Sequence, residues 1–459
     1  MIAMAVSPAR SVAFEILLRV ERQDSYAAEL LHSAAFAEQL SSRDHGLATE
    51  LVMGVLRWRS LLNQRLDEVA SQKIERLDGE VRAALQMGAY QLQFLSRVPA
   101  RAAIFESVEL VKAARKRSAA PFVNAVLRKI AASPAAKICP EIGASPDVIT
   151  LAQNAAHPLW LLERWRERYG LHAARQICIH DQTVPPTTVH IHPDPSDNGR
   201  TAAKASEAGV ELAPGQLLSA ARRILAGDIT ATRPYREGRI SIQDEASQLV
   251  ALLAGGGEGK NRTILDCCAA PGGKTSLLAR RHPQATVFAV ELHLHRARLL
   301  KTLTRLPNLR VVAADARQLP FSSDLAFDLV LADVPCSGTG TMARNPEIKW
   351  RLKREDLDDL QVRQVAILKS ALARIAAGGR LVYSTCSLER EENEAVVEAA
   401  LTGEAKFKVA DFSRDLESLQ QSRELCSDGI PSLLAGPYLR TIPGVHPCDG
   451  FFAALIERK

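Results

Sequence analysis

What this 459-residue sequence lacks narrows its function first. It has no apolar run of about eighteen residues, so no transmembrane helix is expected. Its opening stretch, MIAMAVSPARSVAFEILLRV, lacks the basic segment, apolar core and small-residue cleavage site of a secretory leader, and a cytoplasmic protein is expected. The cysteines at 139, 178, 267, 268, 336, 386, 426 and 448 include no C-x-x-C pair. A structural zinc site is therefore not expected, and a disulfide framework does not suit a long cytosolic chain. Cys139, Cys178, Cys426 and Cys448 read as small packing residues. Two phosphate-binding fingerprints are also missing. G-x-x-x-x-G-K-[ST] would need glycine where Cys268 stands, and G-x-G-x-x-G does not occur.

What is there is ordinary in bulk. With 47% hydrophobic and 24% charged residues the chain reads as a soluble globular protein, and its length suggests two or three domains. A net charge of +6 permits a polyanionic partner without requiring one. Residues 1 to about 133 read as helices: Val12, Ile16, Leu17 and Val20 recur at helical spacing, and 48–58, 81–95 and 102–114 repeat the pattern. This part carries a basic cluster, Lys112, Arg115, Lys116 and Arg117, with Arg128 and Lys129 nearby. Two readings stand for it, a solvated helix end and a phosphate-contacting patch. A looser stretch follows, with a helix around 158–169 and a prolyl turn entering a strand near Val189, so residues 145–235 are expected to form a small α/β subdomain. From about 238 the pattern becomes strand, turn, helix, repeated. Strands are predicted at 262–266, 286–291, 309–313, 327–333 and 379–384, which argues for a doubly wound, mostly parallel sheet.

The chemistry gathers at the ends of those strands. Cys268, Ala269, Ala270, Pro271, Gly272, Gly273 and Lys274 follow the first strand and open a helix. Small residues there let a ligand approach the backbone, and a helix N-terminus offers free amides to a carboxylate. Glu291, Asp315 and Asp333 end or follow successive strands, at the edge where such sheets bind ligands, and a carboxylate at Glu291 suits a ribose diol. Cys336 and Cys386 each follow a strand at that same edge, which suggests nucleophilic chemistry. Arg296 reads equally as a cofactor contact and as a solvated helix charge, while Cys267, His293 and His295 read as packing or surface residues.

The sequences DCCAAPGGKT, DVPCSGTG, NPEIKW and YSTCSLEREENE resemble those of the NOL1/NOP2/sun family of RNA 5-methylcytosine methyltransferases. The stretches RDHGLATELVMGVLRW, MGAYQLQFLSRVPARAAIFESVEL and FVNAVLRKI resemble the helical NusB domain. The resemblance implies an all-α NusB-like RNA-binding domain over 1–140. It also implies a Rossmann-like class I S-adenosylmethionine-dependent methyltransferase domain over 236–459, with 145–235 as its linker subdomain. The implied cofactor is S-adenosylmethionine, held by Cys268 to Lys274, Glu291, Asp315 and Asp333, and the implied partner is RNA, 16S rRNA above others, with no metal and no membrane. A monomer is expected. The resemblance makes Cys386 the thiol that attacks carbon 6 of cytosine, Cys336 the thiol that assists product release, and Asp333 a hydrogen-bond partner of the cytosine N3–N4 edge. Motif position alone leaves Cys336 open as the nucleophile, since DNA cytosine methyltransferases use a Pro-Cys thiol in that way. Transfer RNA as substrate and a non-catalytic RNA-binding assembly factor are the alternatives.

Overall fold

A computed structural model of the chain describes residues 6–23, 25–37, 40–133, 141–192, 200–256, 263–426 and 429–459. Cys139 and the expected boundary at 140 lie outside them. The chain forms two compact units, one of residues 1–184 with 342–351, the other of 185–341 with 352–459. The division falls inside the 145–235 stretch rather than at its ends.

The first unit is helical. Its main helices are α1 (Pro8–Gln23), α2 (Ser42–Arg57), α3 (Arg59–Val69), α4 (Gly79–Phe94), α5 (Ala100–Ala113), α6 (Ala120–Ala132), α7 (Val148–Asn154) and α8 (Leu159–Asp181), the last interrupted at Gly170. The sequence periodicity has a direct cause: Val12, Ile16, Leu17 and Val20 are buried on one face of α1 and share a core with Leu51, Val55, Leu85 and Leu127. Side chains close two of the starts. Ser41 Oγ accepts the Asp44 N–H at 3.2 Å, and Asp147 accepts the Thr150 N–H at 2.8 Å.

Residues 342–351, which contain NPEIKW, pack in this helical unit although they lie in the C-terminal half of the sequence. Trp350 Nε1 donates to the Leu56 carbonyl at 2.6 Å, the Arg351 guanidinium to the Ser25 carbonyl at 2.8 Å, and Glu347 accepts the Ala27 N–H at 2.7 Å. Lys349 is fully buried near Asp181, Arg57 and Cys178, and burial pushes its ammonium down to about 7.

The second unit holds two sheets among the described residues. The smaller has the order β2-β3-β1-β4, from β1 (Thr188–Ile191), β2 (Glu211–Pro214), β3 (Ala221–Ala226) and β4 (Ile240–Ile242). It is followed by α9 (Glu245–Ala254). The larger comprises β5 (Thr263–Asp266), β6 (Thr286–Glu291), β7 (Leu309–Ala313), β8 (Phe327–Asp333), β9 (Ile375–Thr385), β10 (Phe407–Ala410), β11 (Leu434–Ala435), β12 (Tyr438–Thr441) and β13 (Phe451–Arg458). Its order is β11-β12-β13-β9-β8-β5-β6-β7, with β10 also paired to β13. Strands β5 to β9 run parallel and β13 antiparallel to β9. The helices α10 (Gly273–Arg281), α11 (Leu294–Thr304), α12 (Arg354–Leu372) and α13 (Glu394–Leu401) belong to the same unit. Separate apolar clusters form around it, one built on Leu249, Leu253, Ile264 and Leu329, another on Leu265, Val330, Leu368 and Tyr383. β5 has β6 on one side and β8 on the other, so the strand order reverses there. A crevice opens outside the carboxyl ends of strands at such a point, and ligands bind in it.

Candidate active site

The cofactor loop predicted from sequence leaves β5 at this reversal. Asp266, buried at the strand end, accepts the Thr275 hydroxyl at 2.7 Å and the Cys268 N–H at 3.3 Å, closing the loop onto the first turn of α10. Burial, chiefly, raises the Asp266 carboxyl to about 6. Gly272 adopts φ +115°, and a Cβ there would stand 2.5 Å from Leu300 Cδ1, so both conformation and space call for glycine. The Cys267 and Cys268 thiols are held well above their ordinary range by burial.

Lys274 leaves the loop to pair with Asp333 at the end of β8, Nζ to Oδ2 at 2.8 Å, and its ammonium also lies 5.0 Å from the centre of the Phe451 ring. Burial alone would lower this ammonium; the Asp333 carboxylate outweighs it and holds it up. The other oxygen of Asp333 accepts the Ser384 hydroxyl at 2.7 Å. Glu291, buried at the end of β6, uses one oxygen to accept the His293 N–H at 2.9 Å. Asp315 is committed to Arg317, which donates to it from Nη2 at 2.6 Å and holds its carboxyl below the usual range. Arg296 reaches the Ala270 carbonyl at 3.4 Å. His293 and His295 are exposed, and no group of three or more metal-ligating side chains is assembled among the described residues.

The residues at this edge fit S-adenosylmethionine by their chemistry. Glu291 offers a carboxylate for a ribose diol, and the start of α10 offers amides for a carboxylate. Gln243 supplies a further signal: its Oε1 is buried without a hydrogen-bond partner, and its side chain lies 3.4 Å from where a Cβ of Gly273 would be. An orphaned acceptor beside a loop of small residues suits a donor such as an ammonium.

The two thiols meet. Cys336 Sγ and Cys386 Sγ are 3.3 Å apart, both half-buried, on the loops after β8 and β9. The register explains it: Asp333 pairs with Ser384 across these parallel neighbours, so their following residues emerge side by side. Hydrogen bonding to Cys386, then burial, raises the Cys336 thiol well above its ordinary value. Of the described cysteines outside these loops and the loop after β5, Cys178 and Cys448 are buried, whereas Cys426, expected to pack, is exposed.

Sequence reasoning missed the polar core beneath the thiols. Ser337, Thr339, Gln364, Ser387, Glu392 and Asn393 are all buried. Thr385 Oγ1 donates to Asn393 Oδ1 at 2.6 Å, Asn393 Nδ2 to the Ser387 carbonyl at 2.8 Å, and the Tyr383 hydroxyl to the Glu392 carbonyl at 2.5 Å. Glu392 stands in the charged run LEREENE after Cys386, where nothing local marks it out from Glu389 or Glu391.

Residues 257–457 match the family described as 16S rRNA methyltransferase RsmB/F, and residues 7–132 match the NusB family. The probable ribosomal RNA small subunit methyltransferase B of Bacillus subtilis is 32% identical over 99% of this chain and 100% of its own length. The chain belongs to the RsmB/F family of 16S rRNA methyltransferases. Among solved structures, that of PH0851 superposes with a TM-score of 0.80 at 21% identity over 99% of this chain and 100% of the other. NSun6 from Pyrococcus horikoshii, solved with the S-adenosylmethionine analogue SFG, superposes at 0.55 with 18% identity over 66% of this chain and 99% of its own. These likenesses show the fold, a NusB-type helical unit and a Rossmann-like methyltransferase unit. An RsmB/F chain is thus where the loop after β5 and the paired thiols reside.

The basic cluster of the NusB part is partly neutralised. Lys112 pairs with Glu109 and Lys116 with Asp78, each at 2.8 Å, while Arg115 and Arg117 are exposed.

Proposed function

We propose that this chain methylates carbon 5 of a cytosine in 16S rRNA, using S-adenosylmethionine and a covalent bond between Cys386 and carbon 6 of the base. The observation that carries the reading is the 3.3 Å approach of two thiols beside the Lys274–Asp333 pair, at the carboxyl edge of the sheet. Carbon 5 of cytosine is a weak nucleophile. Addition of the Cys386 thiolate at carbon 6 breaks the ring conjugation and makes carbon 5 an enamine carbon. The cofactor, when bound, supplies an electrophilic methyl group. The carbon 5 proton then leaves, the electron pair of that bond restores the ring, and Cys386 departs as thiolate, a stage that Cys336 assists. Asp333 retains lone pairs beyond those used by Lys274 and Ser384, and would accept the cytosine N4–H, which orients the base for attack at carbon 6. Glu291 would hold the ribose, and Asp315 the adenine side once its pairing with Arg317 is shared. Arg115 and Arg117 would contact phosphates, with Lys112 and Lys116 contributing less because each already has an acid.

The test is transfer of labelled methyl groups to unmodified 16S rRNA. Wild type is expected to label it, Cys386→Ala to fall to background, and Cys336→Ala to accumulate a covalent protein–RNA adduct. Labelling by Cys386→Ala, with no adduct from Cys336→Ala, would reverse the thiol roles. Labelling of transfer RNA alone would overturn the substrate, and no labelling by wild type would leave an RNA-binding factor.

A further inference from the structure

Glu392 lies under the two thiols, fully buried, and has no part in the reaction just described. All its acceptor capacity is used. Oε1 accepts the Ser337 N–H at 2.8 Å and the Gln364 Nε2–H at 3.0 Å; Oε2 accepts the Ser387 hydroxyl at 2.5 Å and, in a short contact, the Ser337 hydroxyl. Ser337 directly follows Cys336, and Ser387 directly follows Cys386. Gln364, on α12, uses its amide a second time, donating to the carbonyl of Pro335 at 2.9 Å. One carboxylate thus ties both cysteine loops and a helix. A buried carboxylate with one or two donors would be satisfied as a core residue, but here three of the four donors come from the two loops whose separation sets the distance between the thiols.

We propose that Glu392 is a positioning residue that clasps the Cys336 loop to the Cys386 loop and so fixes the separation of the two thiols. It touches no reacting atom in this arrangement. Its effect on turnover rests on the two-thiol reading above, whereas its effect on thiol separation does not.

The test uses the full chain and dibromobimane, which bridges two neighbouring thiols with loss of two bromides and becomes fluorescent. Wild type should be bridged, and Cys336→Ala should not. Glu392→Ala should be bridged roughly tenfold to a hundredfold more slowly, the scale of loss when reacting groups are misplaced by about 1 Å. It should lower kcat by a similar factor and accumulate the RNA adduct, with the cofactor KM within about twofold of wild type. Glu392→Gln should recover most of the bridging, because its amide oxygen can still accept from Ser337 N–H and Gln364 while the two hydroxyls turn to accept from its nitrogen. Bridging of Glu392→Ala at the wild-type rate would overturn the proposal. If Glu392→Ala does not fold, Ser337→Ala and Gln364→Ala, each removing side-chain donation to the carboxylate, take its place. Wild-type bridging in both would then overturn the clasp and leave Glu392 a stabiliser of the fold. Should wild type label no RNA while Glu392→Ala slows bridging, the proposed reaction fails and the clasp stands.

Discussion

At the scale of single residues, position separates chemistry from packing where residue type does not. Cys267, Cys268 and Cys448 have thiols pushed up by burial, and Cys336 has one pushed up by its hydrogen bond to Cys386 and then by burial, yet among the described cysteines only Cys336 and Cys386 face each other after adjacent strands. Gly340 makes a similar point about space. Its N–H donates to the Cys386 carbonyl at 2.9 Å, and its carbonyl accepts the Gly450 N–H at 2.8 Å. A Cβ at 340 would press on the Gly450 carbonyl, 2.8 Å from its carbon. Gly340→Ala is expected to cost about 1–3 kcal/mol, measured by urea unfolding, because backbone has to give way. Its methyl-transfer rate should fall more than its stability alone accounts for, since the Gly340 N–H that has to move is the donor to the Cys386 carbonyl. The thiols and strand-end acids were legible in the sequence because each follows a recognisable apolar strand. Glu392 was not, since nothing local distinguishes it from Glu389 or Glu391; only the fold makes it the common acceptor of Ser337, Ser387 and Gln364.

At the scale of elements, the parallel strands were the most legible part. β6, β7 and β8 occupy the predicted spans, being short apolar runs bounded by turns; β6 and β8 are mostly buried, whereas β7, at the end of the strand order, leaves Arg310 and Ala313 exposed. β9 starts earlier than the predicted residue 379, at Ile375, because Ile375 pairs with Phe327 across a register shift that the composition Ala-Ala-Gly-Gly does not advertise. The end of β5 has a measurable property. Asp266 ordinarily ionises near 3.8 and in the folded chain near 6. Between those values the folded chain holds a proton that the unfolded chain has lost, so stability should fall as pH rises through that window and level off above it. Urea midpoints from about pH 4 to 7 would read this slope. Asp266→Asn, which keeps an acceptor for the Thr275 hydroxyl, should flatten it.

At the scale of the molecule, helix and sheet halves were legible from the change in hydrophobic period, but their true border was not. The helices α7 and α8 belong with the first unit, and so do residues 342–351, a placement that no local pattern announces. That insertion carries its own titration. The Lys349 ammonium, at 10.5 in the ordinary case, is brought to about 7 by burial. Between about 7 and 10.5 the unfolded chain holds the proton that the folded chain has released, so stability should rise with pH across that range. A Lys349→Met variant should lose the rise, read as Tm against pH.

The excursion of residues 342–351 also bears on how such a protein can be inherited and dismantled. The polypeptide passes between its units three times, after 184, after 341 and after 351. No single cut in the gene therefore yields two whole parts: a fragment ending at 184 lacks the Trp350 and Glu347 that bond to Leu56 and Ala27, and a fragment starting at 185 carries that decapeptide with nothing to receive it. The helical unit is less a detachable module than one written partly in the catalytic reading frame, so a recombination event that exchanged only the first 184 codons would also have to find a matching ten-residue insert 157 residues further on.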